Sequence, residues 1–335
     1  MARGSNSGAF GINGLATGIN SVALNEGGKA VGYASLAVND HCEAVNYNTI
    51  AGGYKSVASG HTSFAFGNAV KATGRCSAVF GQTNEARGNY NFVTGRWNRG
   101  IGTDVAVFGM NNIANGQLSL VSGLDNKENG AYCFVSGNNN YVSGRANFVA
   151  GSLNTITGAG SAVFGSQNNV SGDNGCAAFG ILHDVNGKKN LVTGQDNTTA
   201  TNTENNLVVG LNNTVDGNTR NSIISGWKNY VTDTQKVAMF GEGLIAKRDC
   251  QTVMGLYNEP DRDALLVIGN GSDKDNKNNA LTLNADGTLT TQGAVNCSNI
   301  FLTDTNSMIC MKSPNGTEYV LRVEDDGTLS TMKWN

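Results

Sequence analysis

The chain has 335 residues, including 45 glycines and only two prolines; charged residues make up 15% of it and the net charge is −3. This composition offers no basic patch, so we expect neither a nucleic-acid partner nor membrane insertion. The seven cysteines show no CxxC spacing and the three histidines are isolated, so we expect buried thiols in a protein assembled in a reducing cytosol, and no metal or cofactor. The first residues also lack the apolar core of a secretory signal.

Every seventh residue from Gly11 to Gly172 is glycine, except at three positions that are all asparagine, namely Asn25, Asn39 and Asn46. Glycine and asparagine are the residues that most readily enter the left-handed backbone region. The spacing therefore predicts a tight turn at every seventh position, with a short extended segment between turns. Such a chain is a solenoid of stacked coils.

The segments between these turns alternate in type, so the true repeat is a 14-residue coil that spans two turns. Segments such as 105–109 are β-branched and aromatic, and we call them first strands; segments such as 112–116, which begin with asparagine, are second strands. Two strands and two turns then make one coil. We expect an all-β fold, a β-roll solenoid built from 14-residue coils.

The side-chain pattern of the second strands predicts which residues fill the interior of the solenoid. The position two residues before each second turn is almost always small or aliphatic, as a thin core requires. Glu128 interrupts this column, and we expect a local bulge there. Four residues before the second turn, an asparagine series predicts a hydrogen-bonded ladder, in which His183 takes the next place; its members are Asn84, Asn98, Asn112, Asn126, Asn140, Asn154 and Asn168.

The outward positions of the first strand contain 11 of the 12 phenylalanines. The core column is already filled from the other side of the strand, and an exposed phenylalanine stripe would cause aggregation of a monomer. Because burying one phenylalanine contributes ~1.5–3 kcal/mol, we expect a subunit interface here. The predicted interface residues are Phe64, Phe66, Phe80, Phe92, Phe108, Phe134, Phe148, Phe164 and Phe179.

After Gly165 several coils are one or two positions longer than the regular repeat, and the extra residues follow the second strand each time. These insertions therefore line one edge of the solenoid, where insertions often form a contact surface; the alternative is a series of neutral surface loops. We expect two exposed aromatic residues beside them. The predicted receptor-contact edge comprises Asp173, Asn202, Glu204, Asn218, Arg220, Trp227 and Tyr230.

The repeat ends near Pro260, and the remaining sequence reads as hairpins with Asp-Gly and Asn-Gly turns. We therefore predict two domains, a β-roll over residues 1–258 and a hairpin-rich module over residues 259–335. The second is small enough to need oligomerisation for stability.

Two resemblances follow from these segments. Residues 18–24 and 60–67 resemble the head repeats of YadA-like trimeric autotransporter adhesins, with the phase kept over about residues 8–258. That resemblance implies a left-handed parallel β-roll and a homotrimer, although the chain shows neither a secretion signal nor a coiled-coil stalk. Residues 264–271, 279–287 and 313–329 resemble the ends of phage tail-fibre and receptor-binding proteins.

Together the resemblances imply a phage tail-fibre or receptor-binding protein, made in the host cytoplasm and assembled into the virion. Its expected partners are two further copies of itself, other virion tail proteins, and a glycan or protein receptor on the bacterial surface. The alternatives are a bacterial trimeric adhesin head at the cell surface and a polysaccharide depolymerase tailspike.

Several chemical patterns are missing from the sequence, so we expect no enzymatic activity. Glycoside hydrolysis needs two carboxylates at a defined separation, and the acidic pairs 261/263, 273/275 and 325/326 fall in turns outside the roll. None of the histidines is paired with a serine or cysteine at a meaningful spacing. The sequence also argues against ice binding, because no outward Thr-x-Thr column persists.

Overall fold

A computed structural model of the chain describes residues 1–303 and 308–334. It contains two compact units, Met1–Gln292 and Gly293–Asn335. All regular structure along the described residues is β-strand, and no helix of the length and hydropathy that a membrane span requires occurs among them. The predicted all-β solenoid of roughly 14-residue coils is confirmed.

The first sheet of the solenoid contains the first strands of successive coils, paired in parallel. In its described part, 19 strands follow one another: Gly8–Phe10, Val22–Leu24, Leu36–Asp40, Ile50–Tyr54, Phe64–Asn68, Ala78–Gln82, Phe92–Arg96, Ala106–Met110, Leu120–Leu124, Phe134–Asn138, Phe148–Ser152, Ala162–Ser166, Ala177–Ile181, Leu191–Gln195, Leu207–Leu211, Ile223–Trp227, Ala238–Glu242, Thr252–Leu256 and Ala264–Asn270.

The second sheet contains the shorter second strands, also parallel. Its strands are Leu15–Ala16, Lys29–Ala30, Glu43–Ala44, Val57–Ala58, Lys71–Ala72, Glu85–Ala86, Arg99–Gly100, Ile113–Ala114, Lys127–Glu128, Tyr141–Val142, Thr155–Ile156, Asn169–Val170, Asp184–Val185, Thr198–Thr199, Thr214–Asp216, Tyr230–Thr232 and Ile245–Ala246.

The register between coils keeps equivalent residues in line. Val107 pairs with Val121, and Val121 pairs with Val135, so each strand pairs with its equivalent one 14-residue coil further along. Where the repeat lengthens, glycines still face glycines: Gly194 pairs with Gly210 and Gly210 with Gly226. The added residues therefore leave the register of the first strands unchanged and follow the second strands, two of which, Thr214–Asp216 and Tyr230–Thr232, are one residue longer than the others.

The interior between the two sheets is thin and apolar. The small and aliphatic column of the second strand is fully buried, as predicted, from Ala16 to Val170. It faces an inner column of the first sheet that changes from alanine, as at Ala65, to valine, as at Val79. Only these small side chains fit where two sheets pack so closely.

The seven-residue glycine spacing has two causes, of which one was predicted. The glycines at the ends of the first strands have positive φ, as predicted, for example Gly81 with φ 100° and Gly109 with φ 103°. The glycines after the second strands differ. Gly88 does not have a positive φ; the left-handed residue lies two positions later, at Tyr90 with φ 58°. A Cβ atom built on Gly88 would lie 1.8 Å from the carbonyl oxygen of Gly102 in the next coil. Close stacking of successive backbones therefore excludes a side chain at both kinds of glycine, and positive φ is a second requirement at the first kind only. The left-handed positions two residues further along hold many residue types.

The predicted asparagine ladder is confirmed. The backbone N–H of Asn112 donates to Oδ1 of Asn98 at 2.9 Å, and Nδ2 of Asn112 donates to the carbonyl oxygen of Gly123 at 2.7 Å. His183 continues the ladder, because its Nδ1 accepts the backbone N–H of Asn197 at 3.2 Å. Each ladder side chain thus ties one coil to the next and satisfies buried backbone groups.

The bulge predicted at Glu128 is wrong. Lys127–Glu128 pairs in regular register with the strands on either side, and Glu128 is fully buried in the interior column. The backbone N–H of Gly116 donates to Oε2 of Glu128 at 3.1 Å, while Oε1 is buried without a hydrogen-bond partner. Burial raises the pKa of this carboxyl to about 7, although the hydrogen bond from Gly116 opposes the shift.

The parallel pairing continues past residue 258, because Ala264–Asn270 keeps the alternating pattern and pairs with Thr252–Leu256. Two antiparallel strands, Asn279–Asn284 and Leu289–Thr291, then complete the first unit. The expected boundary at 258 thus lies inside this unit. The second unit contains one antiparallel sheet of Ile309–Lys312, Glu318–Val323 and Leu329–Lys333, which we call the C-terminal sheet.

Candidate functional site

The outer side of the first sheet is an apolar face, formed by the two outward positions of each first strand. The phenylalanines expected there do point outward and are exposed or half-buried. Their rings stack from coil to coil, with centroid separations of 5.2 Å for Phe64 and Phe80 and 4.6 Å for Phe134 and Phe148. The rings thus form a nearly continuous file along the roll, and their place in a subunit interface stays a prediction.

Large and small side chains are balanced across the apolar face. Most central coils place one large and one small residue at the two outward positions, as in Ala78 with Phe80 and Phe92 with Thr94. Small residues also lie next to large ones in adjacent coils. Gly52 pairs with Phe66 of the next coil, and a Cβ atom at Gly52 would lie only 2.4 Å from the ring of Phe66. Alternation of large and small side chains therefore keeps the apolar face nearly flat, and a flat face suits close packing against another surface.

The inserted residues lie on one edge of the solenoid, where the chain passes from a second strand to the next first strand. They form a short additional ladder of parallel bridges, which we call the insertion ladder: Asp173 to Lys188, Lys188 to Glu204, Glu204 to Arg220, and Arg220 to Gln235. Acidic and basic side chains alternate along it, so its charges cancel. Lys189 adds an ion pair to Glu204 at 3.7 Å.

The predicted residues Asn202 and Asn218 lie on the same edge and are exposed or half-buried. Each precedes a threonine, Thr203 or Thr219, whose side chain turns into the interior and is buried. The backbone N–H of Asn218 donates to Asp233 at 2.9 Å, and this bond lowers the pKa of that carboxyl. The edge is therefore an ordered polar surface, and its contact with a receptor stays a prediction.

Trp227 and Tyr230 do not lie beside the insertions, so this part of the predicted edge is wrong. Trp227 ends a first strand, and its turn leads into the second strand on the opposite edge. There Nζ of Lys228 lies 4.2 Å from the centroid of the Trp227 ring. Tyr230 points outward from the second sheet, between Thr214 and Ile245.

The edge that carries the insertion ladder, which we call the insertion edge, also carries aromatic residues that were not predicted from the sequence. Nearer the N-terminus, the ring centroids of Tyr33 and Tyr47 are 5.9 Å apart and those of Tyr47 and His61 are 5.7 Å apart. Their regular spacing of one coil, each directly after a turn position, is the signal that would have found them. Further along, a groove of about 540 Å³ is lined by Tyr90, Tyr132 and Asp104, and also by residues of the apolar face, which are Phe92, Leu120 and Phe134.

The described residues contain no group of three or more histidine, cysteine, aspartate or glutamate side chains placed to hold a metal ion. The acidic pair at 273 and 275 forms a turn, in which Oδ1 of Asp273 accepts the backbone N–H groups of Asp275 and Asn276, each at 2.9 Å. A side-chain hydrogen bond from Asn276 contributes most to the lowered pKa of Asp273.

Comparison with known families supports the β-roll. A model of the grass antifreeze β-roll family matches residues 101–180, which is about a quarter of the chain. No curated protein matches this sequence. The similarity concerns the coil repeat of that segment, in which both sheets and the asparagine ladder are regular.

Proposed function

We propose that this chain is a non-enzymatic attachment protein, a phage tail-fibre or receptor-binding rod that works as a homotrimer. The observation that carries the proposal is the apolar face. It follows 19 strands stacked ~4.8 Å apart, which is roughly 85 Å of apolar surface along one side of the solenoid. A surface of this length is far larger than the patches that monomeric proteins expose.

Burial of the apolar face provides the free energy for association. Covering a phenylalanine contributes ~1.5–3 kcal/mol, and rings already shielded by stacked neighbours lie at the lower end of that range. Nine such rings at ~1.5 kcal/mol give roughly 13 kcal/mol per chain, which is comparable to the cost of bringing chains together, about 4–15 kcal/mol. The second sheet offers no comparable face along its described strands, because its outward column carries Lys29, Glu43, Lys71, Glu85 and Arg99. Each chain therefore has one face suited to association, and the chains assemble through it.

Three copies are favoured by the resemblance to trimeric adhesin heads over residues 8–258. A trimer with its apolar faces turned towards a common axis leaves the second sheets and the insertion ladders open to solvent. Three identical edges would engage a bacterial surface glycan or protein with the gain in affinity that multivalency gives. The resemblance of the C-terminal segments to phage fibre ends supports a role for such a rod in a virion tail.

Ice binding is the second candidate, because the matched family is an antifreeze β-roll. Recognition of a crystal lattice needs one kind of side chain repeated at regular spacing on a flat face. Within the matched segment, the outward column of the second sheet holds five different residues, which are Ile113, Lys127, Tyr141, Thr155 and Asn169. This irregular column favours attachment over ice binding.

Charge on the apolar face tests the proposal. We expect Phe108→Asp combined with Phe164→Asp to convert the trimer into monomers or aggregates, because carboxylates cannot be buried without partners. The matched control is Lys127→Asp with Lys71→Asp on the second sheet, which should leave the trimer intact. If the phenylalanine variant keeps the mass of the unmodified assembly, the apolar face is not the interface.

Activity assays separate the alternatives. Release of reducing sugar from bacterial surface polysaccharide would identify a depolymerase, and thermal hysteresis in freezing buffer would identify an ice-binding protein. Saturable binding of the labelled chain to bacterial cells, without either activity, is the result expected for an attachment protein. Binding to animal cells or matrix proteins alone would favour the adhesin alternative.

A further inference from the structure

The C-terminal sheet has two unlike faces. Directly opposed residues of an antiparallel pair share a face, and successive residues alternate between faces. Ile309 opposes Leu321, Met311 opposes Tyr319, and Val323 opposes Leu329. We call the face that these pairs form the C-terminal apolar face; its six apolar residues are Ile309, Met311, Tyr319, Leu321, Val323 and Leu329, and it also carries Thr331 and Lys333.

The other face of the same sheet is polar at both ends. Lys312 forms an ion pair with Glu318 at 2.9 Å, and both residues belong to this face. Arg322 and Ser330 oppose each other there as well. Charged side chains are thus concentrated on this face, which also carries Cys310, Val320 and Met332, whereas the C-terminal apolar face carries one charged residue, Lys333.

None of the described residues of the C-terminal unit covers its apolar face. Val323 and Leu329 are 65% and 68% exposed, and Val320, on the polar face, is the one apolar residue that the described part of the unit buries. The unit spans Gly293–Asn335, near the ~40-residue size below which a domain usually needs disulfides, metals or oligomerisation. Its two cysteines, Cys297 and Cys310, are free.

We propose that the C-terminal apolar face packs against the same face of the other copies of this chain. The inference rests on the homotrimer of the proposed function and assigns it a second contact, separate from the phenylalanine file. The six residues expose apolar surface on the order of 500 Å², which approaches the ~800 Å² per partner of a stable interface. Ile300, Phe301 and Leu302 of the same unit are exposed as well and add to the apolar surface of the unit.

Other copies of the chain are the favoured occupant of this face, because assembly along the solenoid keeps their C-terminal units at a high local concentration. Chains joined along the solenoid hold their C-terminal units at an effective concentration in the millimolar range, as flexible linkers do. At that concentration even a modest apolar face associates with its equivalents in the same assembly. A different protein would have to displace those copies in order to bind. Because the unit gains its core only on association, its order depends on that contact.

Cross-linking of introduced cysteines tests this contact without destabilising the fold. In a full-length background with the exposed cysteines replaced by serine, which are Cys76, Cys250, Cys297 and Cys310, Leu329→Cys places a thiol on the apolar face and Ser330→Cys places one on the polar face. Treatment with a short bismaleimide should link Leu329→Cys chains to one another at least fivefold more than Ser330→Cys chains on a denaturing gel.

Limited proteolysis gives an independent readout. Val323→Lys with Leu329→Lys should raise the rate of cleavage within the C-terminal unit at least tenfold, while Ser330→Lys leaves it unchanged. Equal cross-linking of the two cysteine variants in a chain that is trimeric by light scattering would overturn this inference and leave the trimer standing. A monomeric unmodified chain would instead refute the homotrimer itself.

Discussion

A single carboxyl group inside the solenoid makes its stability depend on pH. Glu128 occupies a column that is filled by alanine, glycine and aliphatic residues except at Thr199, and burial raises its pKa from 4.5 to about 7. The folded chain therefore holds a proton that the unfolded chain has lost between those two pH values. Stability from this group falls as pH rises from about 4.5 to about 7, and stays low above that.

Replacement of Glu128 should remove this dependence. We expect Glu128→Val to raise the thermal midpoint at pH 8, because it removes a penalty on the order of 3 kcal/mol and restores an aliphatic residue to the column. At pH 4.5 the two proteins should differ much less. Glu43→Gln, on the outer side of the second sheet, is the control, and an equal response from both variants would contradict the buried carboxyl as the cause.

The asparagine ladder is expected to be costly to interrupt. Oδ1 of Asn126 accepts the backbone N–H of Asn140 at 3.0 Å, and its Nδ2 donates to the carbonyl of Gly137 at 2.8 Å. Asn126→Ala leaves buried groups unsatisfied in two coils, each worth about 1–3 kcal/mol. Chemical unfolding should show a loss of at least ~3 kcal/mol, whereas Asn138→Ala, at the outer end of its strand, should lose under ~1 kcal/mol.

At the scale of the coil, two kinds of turn position respond oppositely to substitution. Gly88→Ala would force a Cβ atom against the Gly102 carbonyl of the next coil, so we expect a loss of several kcal/mol. Leu153 is left-handed at φ 57° and half exposed, so Leu153→Gly relieves backbone strain of ~1–2 kcal/mol. Thermal melts should therefore show a large fall for the first variant and little change or a gain for the second.

Periodic features of the fold were predictable from the sequence because each recurs in many coils. The phenylalanine columns, the ladder and the interior column all repeat once per coil, so one exception such as His183 could be read from its neighbours. The cause of the glycine spacing was predictable only in part. Positive φ at the ends of the first strands was expected, whereas the close contact between stacked backbones involves two coils and cannot be read from either one alone. Glu128 was misjudged for a similar reason, since the rule that charges avoid cores is a tendency.

The candidate edge was predictable only in part. Counting residues between turns identifies where Asp173, Glu204 and Arg220 were added, and the bridges place them together. Trp227 was assigned to that edge from nearness in sequence, yet a coil has two edges, and it follows the other turn. Past Pro260, Ala264–Asn270 still joins the first sheet, because it keeps both the in-and-out alternation and the 14-residue spacing, with Gly269 paired to Gly255.

For the whole molecule, receptor contact is expected along the insertion edge. Glu204→Ala with Arg220→Ala should reduce binding of the labelled chain to a bacterial strain that it recognises by at least tenfold, because three copies amplify each lost contact. The control is Glu43→Ala with Lys127→Ala on the second sheet. If the control weakens binding and the edge variant does not, the receptor contacts the second sheet instead.

The aromatic part of the same edge extends this test. Tyr47→Ala and Tyr132→Ala remove rings that lie on the edge without reaching the interior column. Loss of cell binding in these variants alone would move the receptor contact towards the N-terminal coils. Loss only in the Glu204 and Arg220 variant would confine it to the inserted coils.

The central claim is that the apolar face is covered by other copies of the chain. Its most direct test is the molar mass of the unmodified full-length protein in solution, measured by light scattering after size-exclusion chromatography. The proposed assembly predicts a single species with three times the mass of one chain, unchanged on dilution to nanomolar concentration. A stable, soluble monomer that leaves the phenylalanine file exposed would contradict it.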